Sequence, residues 1–241
     1  MSRGAPRGIL LDLDGTIADS IDFFYRLACE MVAAANGAAP ERAAVLDAIA
    51  NGIVPHERFL PADLPDRDAF LARLYQEQGP IWIERYGAET EPLAGALDSV
   101  RALHERGLRL ALVTSSMGSL PFLDRWGVRA LFRTVVSRED VRRIKPDPES
   151  LWLALQRIEL APAEVLYVGD TPLDVRAGIA AGIETIGVLT GAGTESQLRA
   201  AGAVEVLPSL AALADFLDRS FSDNGSEPCA TRPSEPRSTK F

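Results

Sequence analysis

The chain has 241 residues, of which 47% are hydrophobic and 24% are charged, and its formal net charge is −9. This composition is typical of a globular protein with a substantial core, and the acidic balance argues against general binding to nucleic acid or to anionic membranes. No apolar run approaches the roughly 20 residues of a membrane helix. We read no signal peptide and no disulfide framework, so we expect a cytoplasmic protein that is a monomer or a homodimer.

Short apolar runs that alternate with helical patterns predict an α/β fold. The predicted strands are Gly8–Leu13, Leu108–Val113, Phe132–Val136, Glu164–Val168, Thr185–Val188 and Val204–Leu207. The predicted helices between them are Ala94–Arg106, Leu120–Trp126, Glu149–Ile158, Leu173–Ala181 and Glu195–Ala201. Because the strands are apolar throughout, this order indicates a mainly parallel sheet that helices cover on both faces.

The interval from Asp19 to about Thr90 interrupts the alternation, since it contains helical patterns but no convincing strand. These patterns are Asp22–Asn36, Ala39–Ala50 and Asp66–Tyr86. An insertion after the first strand lies over the strand's C-terminal end, where an open parallel sheet binds its ligand. We therefore predict a helical cap domain.

The predicted division of the chain has three parts. Residues 1–18 and 90–219 form the α/β core domain, and residues 19–89 form the cap, with hinges near Ile17–Ser20 and Glu89–Leu93. Residues 220–241 are rich in serine, proline, glycine and charge, so they cannot bury enough apolar surface and are predicted to be disordered.

Two acids, Asp12 and Asp14, stand at the exit of the first predicted strand, and Gly15 follows. Residues i and i+2 of an extended chain point the same way, about 6–7 Å apart, so both carboxylates can aim at one point. Two such anions indicate a shared cation or a divided acid/base role. Asp-Gly is also common turn chemistry, but a turn explains Asp14 and not Asp12.

Loops after three further predicted strands carry groups that suit a phosphate and a cation. Thr114 and Ser115 follow the second strand, and a hydroxyl with backbone N–H groups in a turn suits phosphate oxygens. The alternative for this segment is an ordinary helix N-cap near Ser119. Lys145 precedes the fourth strand and is the only lysine before Lys240. Asp170 and Asp174 follow the fourth strand, although Asp174 could simply cap a helix. Carboxylate oxygens without thiolates suit Mg²⁺, and a metal, a lysine and a hydroxyl suit a phosphoryl group.

Four segments together resemble the motifs of the haloacid dehalogenase-like (HAD) hydrolase superfamily. They are Asp12-Leu13-Asp14-Gly15-Thr16, Val113-Thr114-Ser115, Lys145-Pro146 and Gly169-Asp170-x-x-x-Asp174. The resemblance covers roughly residues 8–217. It implies a Rossmann-like three-layer core with a mainly parallel sheet and an inserted helical C1 cap, as in phosphoglycolate phosphatase-like members.

The resemblance also implies roles for individual residues. Asp12 would be the nucleophile, and Asp14 would protonate the leaving group and then activate water. Mg²⁺ would bind the Asp12 carboxylate, the Asp14 backbone carbonyl and the Asp170 carboxylate, with Asp174 nearby or ligating through water. Phosphoryl oxygens would be held by Thr114, Ser115 and Lys145, although many relatives have asparagine in place of Ser115.

Substrate choice is expected in the cap. The loop that contains Gly52, His56 and Arg58 resembles the substrate-specificity loop of C1 caps, and His56 and Arg58 could contact a carboxylate or a second phosphate. A solvent-facing connection between helices is the alternative for this loop.

Three features of the sequence distinguish between the known activities of this superfamily. Asp14 argues against dehalogenases, which keep no acid there, and the cap has no lysine for the imine of phosphonoacetaldehyde hydrolase-like members. Phe23-Phe24-Tyr25 stands where β-phosphoglucomutase-like members carry a histidine. We expect a Mg²⁺-dependent phosphatase for a small phosphorylated metabolite such as a phosphoglycolate-like ester, a sugar phosphate or a nucleotide. The alternatives are β-phosphoglucomutase-like phosphoryl transfer and a non-catalytic phospholigand-binding or regulatory protein.

Overall fold

The computed structural model describes residues 4–116 and 120–221. Its strands are β1 (Gly8–Leu11), β2 (Ala18–Asp19), β3 (Glu91–Pro92), β4 (Arg109–Val113), β5 (Phe132–Val136), β6 (Val165–Gly169), β7 (Glu184–Val188) and β8 (Glu205–Leu207). Its helices are α1 (Ile21–Ala34), α2 (Arg42–Ala50), α3 (Pro55–Phe59), α4 (Arg67–Glu89), α5 (Ala96–Glu105), α6 (Pro121–Arg125), α7 (Glu149–Ile158), α8 (Pro172–Ala181), α9 (Glu195–Ala201) and α10 (Leu213–Phe221). None of the described helices is both long enough and apolar enough to cross a membrane.

Six strands form one parallel sheet in the order β5-β4-β1-β6-β7-β8. The predicted α/β class and Rossmann-like sheet are therefore confirmed. Because β1 lies between β4 and β6, the loops after these three strands meet at one edge of the sheet. This edge is where the sequence predicts the functional residues.

Alternating side chains of the strands pack against helices on both faces of the sheet, which makes the core three layers thick. Ile9 and Leu11 of β1 belong to the buried cluster that includes residues of α5, α6 and α10. Leu10 points the other way and belongs to the cluster with residues of α7 and α8. This two-residue period is the ordinary alternation of a strand.

β1 is shorter than predicted, because it ends at Leu11 rather than Leu13. Asp12 keeps one ladder bond, from its N–H to the Val168 carbonyl at 2.9 Å, and the chain then turns. Three successive amides, those of Thr16, Ile17 and Ala18, bond to the Leu13 carbonyl. Asp14 lies within this turn, where it forms an isolated bridge with Ala18.

Four helices, α1 to α4, separate β2 from β3, and we call residues 21–89 the helical insertion. β2 and β3 pair as antiparallel strands, with Ala18 opposite Pro92 and Asp19 opposite Glu91. The two predicted hinges thus meet in a short ladder that the sequence pattern does not reveal. The division into residues 1–18 with 90–219 and residues 19–89 stays a prediction.

Three helices also differ clearly from the sequence prediction. α3 occupies part of the predicted specificity loop, and Pro55 stands at its first helical position, where a missing N–H costs nothing. α4 continues three residues further than predicted, to Glu89, with Pro80 inside it. α10 was not predicted and extends to Phe221, so residues 220 and 221 are helical. The rest of the predicted disordered tail, residues 222–241, lies outside the described part of the chain.

Candidate active site

A cavity of about 190 Å³ lies at the carboxyl edge of the sheet, between the core and the helical insertion. Its lining includes all four predicted acids together with the predicted lysine and one predicted hydroxyl: Asp12, Asp14, Asp170, Asp174, Lys145 and Ser115. Ile21, Phe24 and Ile49 of the insertion line the opposite side. The structure therefore brings the predicted loops to one place.

Lys145 is the centre of the charged part of this site. Its ammonium donates to Asp12 Oδ1 at 2.5 Å, to Asp174 Oδ1 at 2.7 Å and to the Tyr167 hydroxyl at 2.9 Å. Burial disfavours the charged lysine, but Asp12 and Asp174 outweigh that effect and raise the pKa of Lys145 well above its ordinary value. Lys145 is therefore a cation at neutral pH.

Asp174 divides its two oxygens between the site and its own helix. Oδ1 faces Lys145 and accepts from the Tyr167 hydroxyl at 2.6 Å. Oδ2 accepts from the Thr171 hydroxyl at 2.6 Å and from the Thr171 N–H at 3.0 Å, which forms a capping box at the start of α8. Burial opposes ionisation of this carboxyl, but Lys145 and these hydrogen bonds lower the pKa of Asp174. Both interpretations of Asp174, as a capping acid and as a site residue, hold at once.

Asp170 is enclosed by backbone from two loops. Its Oδ2 accepts from the Ala192 N–H at 2.8 Å. A Cβ added at Gly191 would lie 1.8 Å from that oxygen, and one at Gly15 would lie 2.6 Å from it. Burial raises the pKa of Asp170 well above its ordinary value, and the neighbouring Asp174 and Asp12 add to the rise. Only glycine at these two positions leaves room for the carboxylate.

Three carboxylates form a buried triad that suits a divalent cation. Oxygens of Asp12, Asp170 and Asp174 lie within 4.8 Å of one another. Burial raises the pKa of Asp12, with Asp174 and Asp14 adding to the rise and Lys145 opposing it. Three carboxylates face a single lysine, so ionised carboxylates outnumber the cation. All the candidate ligand atoms are oxygens, which divalent cations such as Mg²⁺ prefer. The residues present therefore fit a divalent metal ion.

Asp14 is held apart from this triad by two hydroxyl groups. Its Oδ1 accepts from the Tyr86 hydroxyl at 2.7 Å, and its Oδ2 accepts from the Ser116 hydroxyl. Tyr86 lies near the end of α4 and is 6% exposed, whereas Ser116 follows β4. The carboxylates of Asp12 and Asp14 line the same cavity, but they accept hydrogen bonds from different partners. That both aim at one point stays a prediction. A divided role for the two acids agrees with this geometry.

The two predicted phosphate-binding hydroxyls differ in position. Ser115 lines the cavity. Thr114 is 2% exposed, and its hydroxyl accepts from the Ser116 N–H at 2.9 Å, which shapes the loop after β4. Their predicted phosphate contacts stay predictions, and the alternative N-cap near Ser119 lies outside the described residues.

The predicted specificity residues are not brought into this cavity. Gly52 has a φ of +71°, and a Cβ there would meet Leu173 of the core at 3.1 Å, so it lies at the contact between the insertion and α8. His56 is hydrogen-bonded to the Tyr75 hydroxyl, and Arg58 faces Asp47 at 3.7 Å. A substrate contact of these residues stays a prediction.

No site role was predicted from the sequence for four residues whose side chains contact the acids: Tyr86, Ser116, Tyr167 and Thr171. A weak signal for Tyr167 exists, since a lone tyrosine stands within an aliphatic buried strand. Thr171 is visible as a helix start, but its bond to Asp174 is not. No local pattern distinguishes Tyr86 from the other aromatic residues of the insertion.

Comparison with known proteins gives consistent results. A family model described as "Haloacid dehalogenase-like hydrolase" matches residues 9–188. A phosphoglycolate phosphatase of Pseudomonas putida is 29% identical over 193 residues, covering 77% of this chain and 70% of that protein. An N-acetylmuramic acid 6-phosphate phosphatase of Pseudomonas aeruginosa is 31% identical over 234 residues, covering 92% of this chain and 100% of that protein.

The same similarity holds in three dimensions. A protein of Bacteroides fragilis assigned as a haloacid dehalogenase-like hydrolase has a solved structure that superposes with a TM-score of 0.76 at 25% identity. The superposition covers 86% of this chain and 99% of that one. The sequence match spans the strands and loops that carry all four acids and Lys145. The chain belongs to the haloacid dehalogenase-like hydrolase family.

Proposed function

We propose that this chain is a phosphoric monoester hydrolase that acts through an aspartyl-phosphate on Asp12. The observation that carries the proposal is the division of the acids. Asp12 lies against Lys145 and the carboxylate triad, whereas Asp14 is held by Tyr86 and Ser116 at the edge of the same cavity. One acid can then form a bond to phosphorus while the other moves a proton.

In the first step, a carboxylate oxygen of Asp12 bonds to phosphorus and the ester P–O bond breaks. The departing alcohol oxygen takes the proton of Asp14. In the second step, Asp14 takes a proton from water, the water oxygen bonds to phosphorus, and the Asp12 O–P bond breaks. Inorganic phosphate leaves, and Asp14 again holds its proton. Lys145 and Ser115 would hold the phosphoryl oxygens, with Thr114 shaping the loop that carries Ser115.

We assign the divalent cation to Mg²⁺, which is commonly held by one or two carboxylates together with phosphate oxygens. Asp12, Asp170 and the Asp14 backbone carbonyl would hold it, with Asp174 close by. When bound, it would neutralise the excess negative charge of the triad and of the phosphoryl oxygens. This assignment is supported by the all-oxygen donor set and by the raised pKa of Asp170.

The test is release of p-nitrophenol from p-nitrophenyl phosphate, with Mg²⁺ and after chelation. Asp12→Asn should lower kcat by at least about 10⁴-fold, as loss of a nucleophile does. Asp98→Asn is the matched control, because the Asp98 side chain is 87% exposed and pairs only with Arg101 among its described ion pairs. Full activity of Asp12→Asn would overturn the proposal.

Two other outcomes would favour the alternative functions. Phosphate-ester binding without any metal-dependent release would favour a non-catalytic binding protein. Interconversion of sugar phosphates without free phosphate would favour phosphoryl transfer between hydroxyl groups.

A further inference from the structure

A second cavity, of about 420 Å³, opens beside the first one, between α1 and α4 of the helical insertion. Five aromatic side chains form most of its wall: Phe23, Phe24, Tyr75, Trp82 and Tyr86. We call this cavity the apolar pocket. The residues that α4 supplies recur along one face of the helix, at the three- and four-residue spacing of neighbours on a helical surface. The wall is therefore a continuous apolar surface.

The apolar pocket is continuous with the site that carries the acids. Phe24 and Ser116 line both cavities. Tyr86 and Ser116 line the apolar pocket and also donate hydrogen bonds to Asp14. In the proposed reaction the leaving oxygen takes its proton from Asp14. The group attached to that oxygen therefore begins where the apolar pocket begins.

The wall offers few partners to a polar leaving group. None of the described residues that line the apolar pocket carries a charge. Tyr86 and Ser116 already donate to Asp14, and the Tyr75 hydroxyl is bonded to His56 and donates to Glu57 at 3.3 Å. Sugar hydroxyls or a carboxylate would lose water here without gaining equivalent hydrogen bonds, which costs free energy.

The neighbouring cavity does not supply a second cation either. Within the described part of its lining, Lys145 is the one basic side chain, and it already serves the acids. A substrate that carries a carboxylate beside its phosphate would find no positive group for it. Aromatic walls instead favour hydrocarbon or aromatic groups, which gain from burial and from ring contacts.

We infer that the substrate is a phosphate monoester of an apolar alcohol, whose alkyl or aryl end occupies the apolar pocket. The inference rests on the proposed function, because it takes the position of the leaving oxygen from the role of Asp14. The insertion would then select apolar leaving groups. Phe24, Trp82 and Tyr86 would determine this selectivity, rather than His56 and Arg58.

The first experiment compares the unmodified chain on a series of n-alkyl phosphates from ethyl to hexyl phosphate. Each buried methylene contributes about 0.8 kcal/mol, which is about fourfold in kcat/KM. We expect kcat/KM to rise by about this factor per methylene and the rise to appear mainly in KM. Phenyl phosphate should be hydrolysed better than phosphoglycolate, glucose 6-phosphate and AMP.

The second experiment fills the apolar pocket. A Cβ added at Gly79 meets no heavy atom within 4 Å, so Gly79→Leu introduces a side chain without a clash. The ratio of kcat/KM for hexyl phosphate to that for ethyl phosphate should fall by about tenfold, because the leucine takes the place of the alkyl end. Ala72→Leu is the matched control, since Ala72 is exposed on the same helix and should keep the ratio of the unmodified chain.

The outcomes separate this inference from the proposed function. Free phosphate released at equal rates across the alkyl series would overturn the inference and leave the hydrolase in place. The same holds if phosphoglycolate or AMP is preferred to hexyl phosphate. If the unmodified chain releases phosphate from no ester, the proposed function and the inference both fail.

Discussion

The two cavities of this protein lie side by side and differ in almost every physical property. The one at the sheet edge contains four acids and a lysine, and all of these except Asp14 are almost wholly buried. The one inside the helical insertion is larger and has aromatic walls without described charged residues. Lys145, Asp12, Asp170 and Asp174 are held by bonds within the core, and Asp14 is also bonded to Tyr86 of the insertion. The aromatic wall is held by ring contacts.

This difference separates two tasks. The buried charged side chains tolerate only an arrangement in which each has a partner, because an unpaired charge inside a protein lowers the free energy of unfolding. The aromatic wall has no such requirement, since hydrophobic contacts are non-directional and tolerate similar shapes. We therefore expect the reaction type to depend on the sheet edge and the substrate choice to depend on the insertion. Tyr86 connects the two, because it lines the apolar pocket and bonds to Asp14.

The largest effect is expected from breaking the charged side of this comparison. Lys145→Met leaves Asp12 and Asp174 without their shared cation, which should lower the free energy of unfolding by about 3–5 kcal/mol. Phosphate release should fall on the order of 10²–10³-fold. Urea unfolding without divalent metal and a steady-state assay measure the two effects.

Arg101→Met is the control for Lys145→Met. Arg101 pairs with Asp98 at 3.1 Å on the surface, and such pairs contribute about 0–1 kcal/mol. If both variants unfold at the same urea concentration, the buried lysine does not organise the acids.

A smaller effect is expected where the two cavities meet. Tyr86→Phe keeps the ring in the wall and removes the hydrogen bond to Asp14, so kcat should fall by about tenfold while KM for hexyl phosphate changes little. Tyr25→Phe is the control, because the Tyr25 hydroxyl bonds to the Pro40 carbonyl at 3.4 Å and to Cys29, both within the insertion, and to none of the acids among its described partners. An equal loss in both variants would assign the effect to general disturbance of the insertion.

The smallest effect concerns His56, which is bonded to Tyr75 of the apolar pocket. Burial lowers the pKa of His56 to about 4, from an ordinary value of 6.5. Between these values the unfolded chain binds the proton and the folded chain does not. Stability from this group is therefore present above pH 6.5 and is lost as the pH falls toward 4. His56→Gln should reduce that loss in urea unfolding at pH 7 and pH 5.

His104→Gln is the control for His56→Gln, since His104 is exposed near the end of α5. The pH dependence of this control should match that of the unmodified chain. Identical pH dependence in all three proteins would show that His56 is not shielded from water.

The sequence predicted the sheet and most of the charged site for one physical reason. Parallel strands expose their ends at a common edge, so residues in the loops at this edge can meet even when 133 positions separate them, as Asp12 and Lys145 do. No comparable rule predicts which residues of the helical insertion meet. Its helices pack through side chains whose partners depend on the angle and register of each helix. The sequence therefore could not place His56 and Arg58, which do not line the cavity that contains the acids.

The sequence by itself determined the α/β alternation, the acids after β1 and β6, and the isolated lysine that faces them. Only the tertiary structure decided which carboxylate faces which partner, because Asp12 bonds to Lys145 and Asp14 to Tyr86, residues that lie far away along the chain. It also decided that Phe24, Trp82 and Tyr86 form one wall. Local patterns fix the direction of a side chain within an element, whereas a cavity depends on how separate elements pack.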